Sequence, residues 1–153
     1  MSTRAITFLQ HKDIDFKVTK YKHKKKGAVY ASEAMGFPLR KTIKTLVVDL
    51  GSKGCLMALI PGDKELNLAL LARHYSVKKA SMADPATAQR LTGYMVGGIS
   101  PFGVKKALPV AIEATLLHHD KIAINGGQRG MMLIMNPNDI LRALPCNVLE
   151  LAQ

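Results

Sequence analysis

The chain has 153 residues, with 22 lysines and arginines against 11 acidic residues and a formal net charge of +11 with histidine neutral. With 48% hydrophobic and 22% charged residues, it has the make-up of an ordinary globular protein, long enough to bury a core. It has no apolar run long enough to span a bilayer and no N-terminal secretory signal in MSTRAITFLQHKD. Cys55 and Cys146 fit neither a disulfide framework nor a zinc motif, and a single domain over 1–153 in the cytoplasm is the expectation.

Residues 3–11 read as a short helix capped by Ser2 or Thr3, with Ile6 and Leu9 on one side. From Ile14 to Tyr21 apolar and polar residues alternate, the two-residue period of a half-buried strand. A helix over 30–36 closed by Gly36 precedes the Pro38 break. Two strands follow, Thr42–Leu50 and Cys55–Ile60, joined by the turn residues Gly51-Ser52-Lys53-Gly54.

Pro61-Gly62-Asp63 ends that hairpin, and the leucine spacing predicts a helix over Leu66–His74. Asp84-Pro85 supplies an N-cap and a proline at the first helical position for a helix to about Leu91, and Asn136-Pro137 repeats the device for a helix to Leu144. Short strands are predicted near Ala111 and over Lys121–Ile124, Met131–Met135 and Asn147–Leu151. This interleaving lacks a regular βαβ rhythm and favours an α+β domain with a mixed sheet or distorted barrel over a doubly wound fold.

The positive charge is clustered. Lys20, Lys22, Lys24, Lys25 and Lys26 form one group, followed by Arg40, Lys41 and Lys44, then Lys78 and Lys79, then Lys105 and Lys106. One such run is commonly a solvated loop, but four in a small domain point to a polyanion. Nucleic acid is the first candidate; a membrane surface fits less well, because no basic segment has a long apolar opposite face.

Two glycine-dense loops lie among these charges, Gly97-Gly98-Ile99-Ser100-Pro101-Phe102-Gly103 and Asn125-Gly126-Gly127-Gln128-Arg129-Gly130. Such loops can turn main-chain amides toward an anionic or carbonyl ligand, or be plain turns with Arg129 as a surface charge. Neither matches GxGxxG or GxxxxGK[ST]. Lys44 shares a strand face with Leu46, Val48 and Leu50. Either it is buried and paired, or it lies at the strand's mouth and reaches water. HExxH, CxxC and GxSxG are absent, so an enzyme built on this chain is expected to use no metal, no cofactor and no covalent protein nucleophile.

The string TGYMVGGISPFGVKKALP (Thr92–Pro109), the earlier KTLVV (Lys44–Val48), PGDKELNL and INGGQRG together resemble the YbaK family of freestanding aminoacyl-tRNA deacylases, relatives of the editing domain of bacterial prolyl-tRNA synthetases. The resemblance runs in order from about Tyr21 to the C-terminus. It implies a compact α+β domain with a barrel-like sheet and a small pocket for the aminoacyl-adenosine end of tRNA. It also implies aminoacyl-tRNA as partner, with prolyl-tRNA synthetase as a further candidate, and release of cysteine from cysteinyl-tRNA(Pro) as the leading activity. Clearance of alanine or another small residue by a positioned water is the alternative, and a non-catalytic tRNA- or synthetase-binding module is a third.

By the same resemblance Lys44 is the principal functional side chain, with Thr45 beside it. Gly97, Gly98, Ile99, Ser100 and Pro101 form the loop whose amides hold the substrate's carbonyl or terminal ribose, and Tyr21 lines the pocket. Asn125 and Gly126 complete the substrate-binding set; Asn125 stands where some cysteine-specific members carry Ser, and Met132 where they carry an acid. Lys24, Lys25, Lys26, Lys78, Lys79, Lys105, Lys106 and Arg129 are the expected tRNA contacts. Cleavage in the family is thought to use the substrate's own thiol as nucleophile, which suits a chain without conventional catalytic machinery.

Overall fold

The computed structural model describes residues 2–153. Helix α1 (Arg4–His11) starts at Thr3, whose Oγ1 accepts from the Ile6 N–H at 3.2 Å, and it buries Ala5, Ile6 and Leu9. Strand β1 (Lys17–Lys20) is shorter than the Ile14–Tyr21 alternation predicts. It pairs only with β7 (Met131–Met135), and Val18 is 38% exposed. As an edge strand it presents no continuous buried face: of that series Ile14 is buried, Phe16 packs half-buried against the core, and Val18 is exposed.

Helix α2 (Ala28–Met35) ends at Gly36 in the left-handed conformation, which glycine adopts without steric cost. Strands β2 (Ile43–Asp49) and β3 (Cys55–Pro61) form the expected antiparallel hairpin. β3 is apolar along its whole length because both faces are covered. Met57 and Leu59 enter the larger core, while Leu56, Ala58 and Ile60 pack in a second cluster with Leu71 of α3 (Leu68–His74). That helix is capped by Asn67, later than the Leu66 start predicted, since Leu66 bridges to Ala152 instead.

Strand β4 (Ser81–Met82) was not expected; two residues carry no readable period. Asp84 caps α4 (Pro85–Thr92) with proline at its start, as predicted. Beyond it lie β5 (Val110–Glu113), β6 (Ile122–Asn125), α5 (Asn138–Ala143) and β8 (Cys146–Leu149). Asn136 Oδ1 accepts from the Asn138 N–H at 2.9 Å at the head of α5.

The strands form a five-stranded sheet of order β4-β2-β3-β5-β8 and a three-stranded sheet of order β1-β7-β6. The β3–β5 and β5–β8 pairs are parallel and the rest antiparallel, giving the expected mixed α+β architecture. A bridge between Thr42 and Ala123 joins the two sheets at the start of β2, so the combined surface wraps around a core that includes Leu9, Phe102, Ile112 and Leu133.

Candidate active site

Strand β2 is paired unevenly along its outer edge. At its start it meets β6 through Thr42 and Ala123, and at its end it pairs with β4 at Val48 and Asp49. Between these contacts the sheet is open. A cavity of about 450 Å³ occupies the gap, walled by β2, α2, the start of α4 and both glycine loops. That volume lies in the range of small-molecule sites.

Lys44 and Thr45 both line the cavity, on opposite faces of β2 as strand geometry requires. The Lys44 ammonium lies 3.8 Å from Glu65 Oε1, with its side chain 23% exposed and that of Glu65 86% exposed. Lys44 therefore combines the two alternatives open to it, paired and at the rim. An ion pair this wet is worth at most about 1 kcal/mol, so the carboxylate yields cheaply to another partner. Thr45 Oγ1 is buried without any hydrogen-bond partner among the described residues.

The glycine loops pack main chain against main chain. A Cβ on Gly98 would stand 2.9 Å from the Arg129 nitrogen and 3.0 Å from the Gln128 carbonyl carbon, so only glycine allows this approach. Asn125 stitches the loops together: its Nδ2 donates to the Gly97 carbonyl at 3.2 Å, and its Oδ1 accepts from the N–H groups of Gly127 and Gln128. Arg129 adds a second stitch, donating from Nε to the Val96 carbonyl at 2.8 Å; it is half-buried, not a free surface charge.

Gly97 and Ile99 line the cavity, whereas Gly98, Ser100 and Pro101 are buried behind it. The Gly98 N–H donates to the Met95 carbonyl at 2.8 Å, and Ser100 Oγ accepts from the Phe102 N–H. The loop thus spends part of its amide supply on its own turn. Gly126 also lies outside the lining, its carbonyl accepting from Thr3 Oγ1. Tyr94 buttresses the loop from behind: its hydroxyl donates to the Phe102 carbonyl, and burial pushes its pKa up to about 12.

Tyr21 lines the cavity, its N–H held by the Gly130 carbonyl at 2.9 Å. Burial raises its phenol above the ordinary value, so at neutral pH it is an uncharged donor or acceptor. Met132 also reaches the wall, so no carboxylate stands at that point. Met82, Ala83, Pro85 and Ala88 complete the side opposite the glycine loops. Sequence patterns gave no hint of these four, because small apolar residues carry no chemical signature.

The basic clusters separate in space. Lys24, Lys25, Lys26 and Arg129 rim the cavity. Lys78 and Lys79 border a different, shallow depression beside α3, and Lys105 and Lys106 are exposed at the end of α4, donating main-chain N–H groups to Thr92 and Leu91. No helix among the described residues is long and apolar enough to cross a membrane, and none of their His, Cys, Asp or Glu side chains cluster in threes as a metal site would need.

A small, mostly apolar pocket with a basic rim, set in a gap of a mixed sheet, suits a compact group carried on a polyanion. The chain belongs to the aminoacyl-tRNA editing domain family, whose sequence model matches residues 23–143, which bears out the resemblance to the YbaK family. It is 34% identical over 110 residues to EbsC of Enterococcus faecalis, named as a candidate Cys-tRNA(Pro)/Cys-tRNA(Cys) deacylase, covering 72% of this chain and 67% of that one. It is 32% identical over 144 residues to the multifunctional Ser/Thr-tRNA deacylase ProXp-y of Escherichia coli, covering 91% and 85%. A crystal structure of a candidate trans-editing enzyme for prolyl-tRNA synthetase superposes with a TM-score of 0.89 at 25% identity, covering 98% of this chain and 95% of that one.

Proposed function

We propose that the chain is a trans-editing deacylase that frees tRNA(Pro) from cysteine, acting on the ester at the 3′ end. The observation that carries this reading is the cavity itself: Lys44 and Thr45 on one wall, Gly97 and Ile99 on another, and Lys24, Lys25, Lys26 and Arg129 at the mouth. The pocket takes the aminoacyl group, and the rim takes the phosphates that follow it. The relation to EbsC favours cysteine.

The substrate supplies the nucleophile. Its thiol sulfur bonds to the ester carbonyl carbon, the bond from that carbon to the ribose oxygen breaks, and the thiol proton passes to the departing oxygen. The products are a cyclic thiolactone and tRNA with a free terminal hydroxyl. Holding sulfur and carbonyl together supplies roughly 7–11 kcal/mol through proximity and orientation. The protein's part is to fix the ester and to donate to the developing oxyanion, where one well-aimed donor is worth about 3–4 kcal/mol. The Lys44 ammonium and the amides of the cavity wall are the donors offered.

A second reading is hydrolysis of an alanyl or other small aminoacyl ester by a positioned water, and the relation to ProXp-y, named as a Ser/Thr-tRNA deacylase, favours a hydroxylated one. Thr45 Oγ1, buried and unpartnered, is the group suited to hold that water. Deacylation assays with cysteinyl-, alanyl-, seryl- and threonyl-tRNA(Pro), comparing the natural chain with Lys44→Ala, separate the readings. Rapid loss of cysteine alone, abolished in Lys44→Ala, is expected. Turnover of serine or threonine instead moves the chain to the water route, and no turnover of any makes it a binding module.

A further inference from the structure

We infer that the exposed edge of β2 is itself a binding site, in which the main chain of Thr45 recognises the α-amino and carbonyl groups of an aminoacyl ester. The inference rests on the cavity being an aminoacyl-ester site and goes further by assigning how the amino acid is held whatever its side chain.

In an antiparallel pair, successive residues direct their N–H and C=O groups to opposite sides. The Thr42 carbonyl accepts from the Gly62 N–H at 2.7 Å, and the Leu50 N–H donates to the Gly54 carbonyl at 2.8 Å. The even-numbered residues of β2 are therefore bonded to β3, and the odd-numbered ones face outward. Val47 confirms the parity, its carbonyl accepting from the Ala83 N–H on the β4 side at 3.0 Å. Thr45 thus turns both main-chain groups to the outer edge, where it lines the cavity.

Among the described residues no strand pairing reaches Thr45 on that side. The β2–β4 pairing stops after Val47 and Ala83, and its register would next set Pro85 opposite Thr45. Proline has no N–H to donate, and Pro85 already begins α4. On the other side the bridge to β6 lies at Thr42 and Ala123. Thr45 therefore lies between two paired stretches, its main-chain groups directed to the outer edge at the cavity wall, beside a hydroxyl without a partner among the described residues.

An aminoacyl ester carries an ammonium and a carbonyl on one α-carbon, which is the pair of groups one strand residue offers its neighbour. Docked as that residue, its ammonium donates to the Thr45 carbonyl and its carbonyl accepts from the Thr45 N–H. The second bond places a fixed donor on the oxygen that becomes the oxyanion, a role the Gly98 N–H cannot fill while it is bonded to Met95.

The test is amide hydrogen exchange by NMR on the isotope-labelled full chain, with 3′-deoxy-3′-(L-cysteinylamino)adenosine and the same compound lacking the α-amino group. The expected result is slowed exchange at Thr45 with the first compound, and binding weaker by on the order of tenfold to a hundredfold with the second, as for loss of a charged hydrogen bond. Protection of Gly97 and Ile99 without Thr45, or equal affinity for both compounds, overturns this inference and leaves the cavity assignment standing. Binding of neither compound overturns both.

Discussion

The side-chain amide of Asn125 donates to the carbonyl of Gly97, joining the two glycine loops across 28 residues of sequence. Its oxygen is already bonded to the N–H groups of Gly127 and Gln128. All the hydrogen-bonding directions this pairing uses run within the protein, so Asn125 acts by setting the positions of Gly97 and Ile99. Asn125→Asp keeps the acceptor but sets a second oxygen against the Gly97 carbonyl. We expect a raised KM for aminoacyl-tRNA with partial recovery as the pH falls and the acid becomes a donor; a pH-independent defect would argue against this role. Asn125→Ala should cost about 0.5–1.5 kcal/mol of stability for each bond lost, read by thermal melting, because the N–H groups of Gly127 and Gln128 lose their acceptor.

The hydroxyl of Thr45 is buried with no partner among the described residues, which costs stability in the free protein. Thr45→Val removes that cost. Thermal melting should show a rise of a few degrees, as about 1 kcal/mol gives for a domain of this size. Deacylation should fall by about tenfold, the loss of one hydrogen bond to the reacting group. A variant that gains stability and keeps full activity would show that the hydroxyl has no ligand.

Glu113 is 5% exposed and ties down the C-terminal segment. One oxygen accepts from the N–H groups of Leu151 and Ala152, the other from the N–H and hydroxyl of Thr115. Burial pushes the carboxyl's pKa up, but these donors together hold it below its ordinary value. A depressed folded-state pKa contributes stability that is present above the unfolded value and is lost as the pH falls through the folded one. Melting temperatures should therefore drop in acid below the ordinary carboxyl range, and Glu113→Gln should flatten that part of the profile while lowering stability at neutral pH. An unchanged acid limb in Glu113→Gln would assign the loss to other groups.

Lys24, Lys25 and Lys26 rim the cavity, and Lys78, Lys79, Lys105 and Lys106 lie apart from it. Replacing the first three by Gln should reduce the salt slope of tRNA binding by about 2–3, since each phosphate contact releases a counterion. The same exchange at Lys78 and Lys79 should change it less. An equal effect at both places would mean that tRNA lies across the whole basic surface.

Much of this protein is determined by the sequence alone. The caps at Thr3 and Asp84, the apolar runs of β2 and β3, and the glycine loops are local signals, each arising from a few neighbouring residues, and they led to the right α+β class and the right family. The Asn136-Pro137 pair also marked a helix start, one residue early, since Pro137 is the N-cap of α5. What only the tertiary structure decided depends on contacts distant in the chain. Val18 alternates like a core residue yet lies on an edge strand, because burial is set by how many neighbours a strand acquires. Leu66 continues a helical pattern but is drawn into a bridge with Ala152. The basic clusters look alike in sequence, and folding brings Lys24, Lys25, Lys26 and Lys44 to the cavity and leaves Lys78, Lys79, Lys105 and Lys106 elsewhere. The open edge at Thr45 is legible in no motif, since it depends on where the pairings of β2 with β4 and β6 lie.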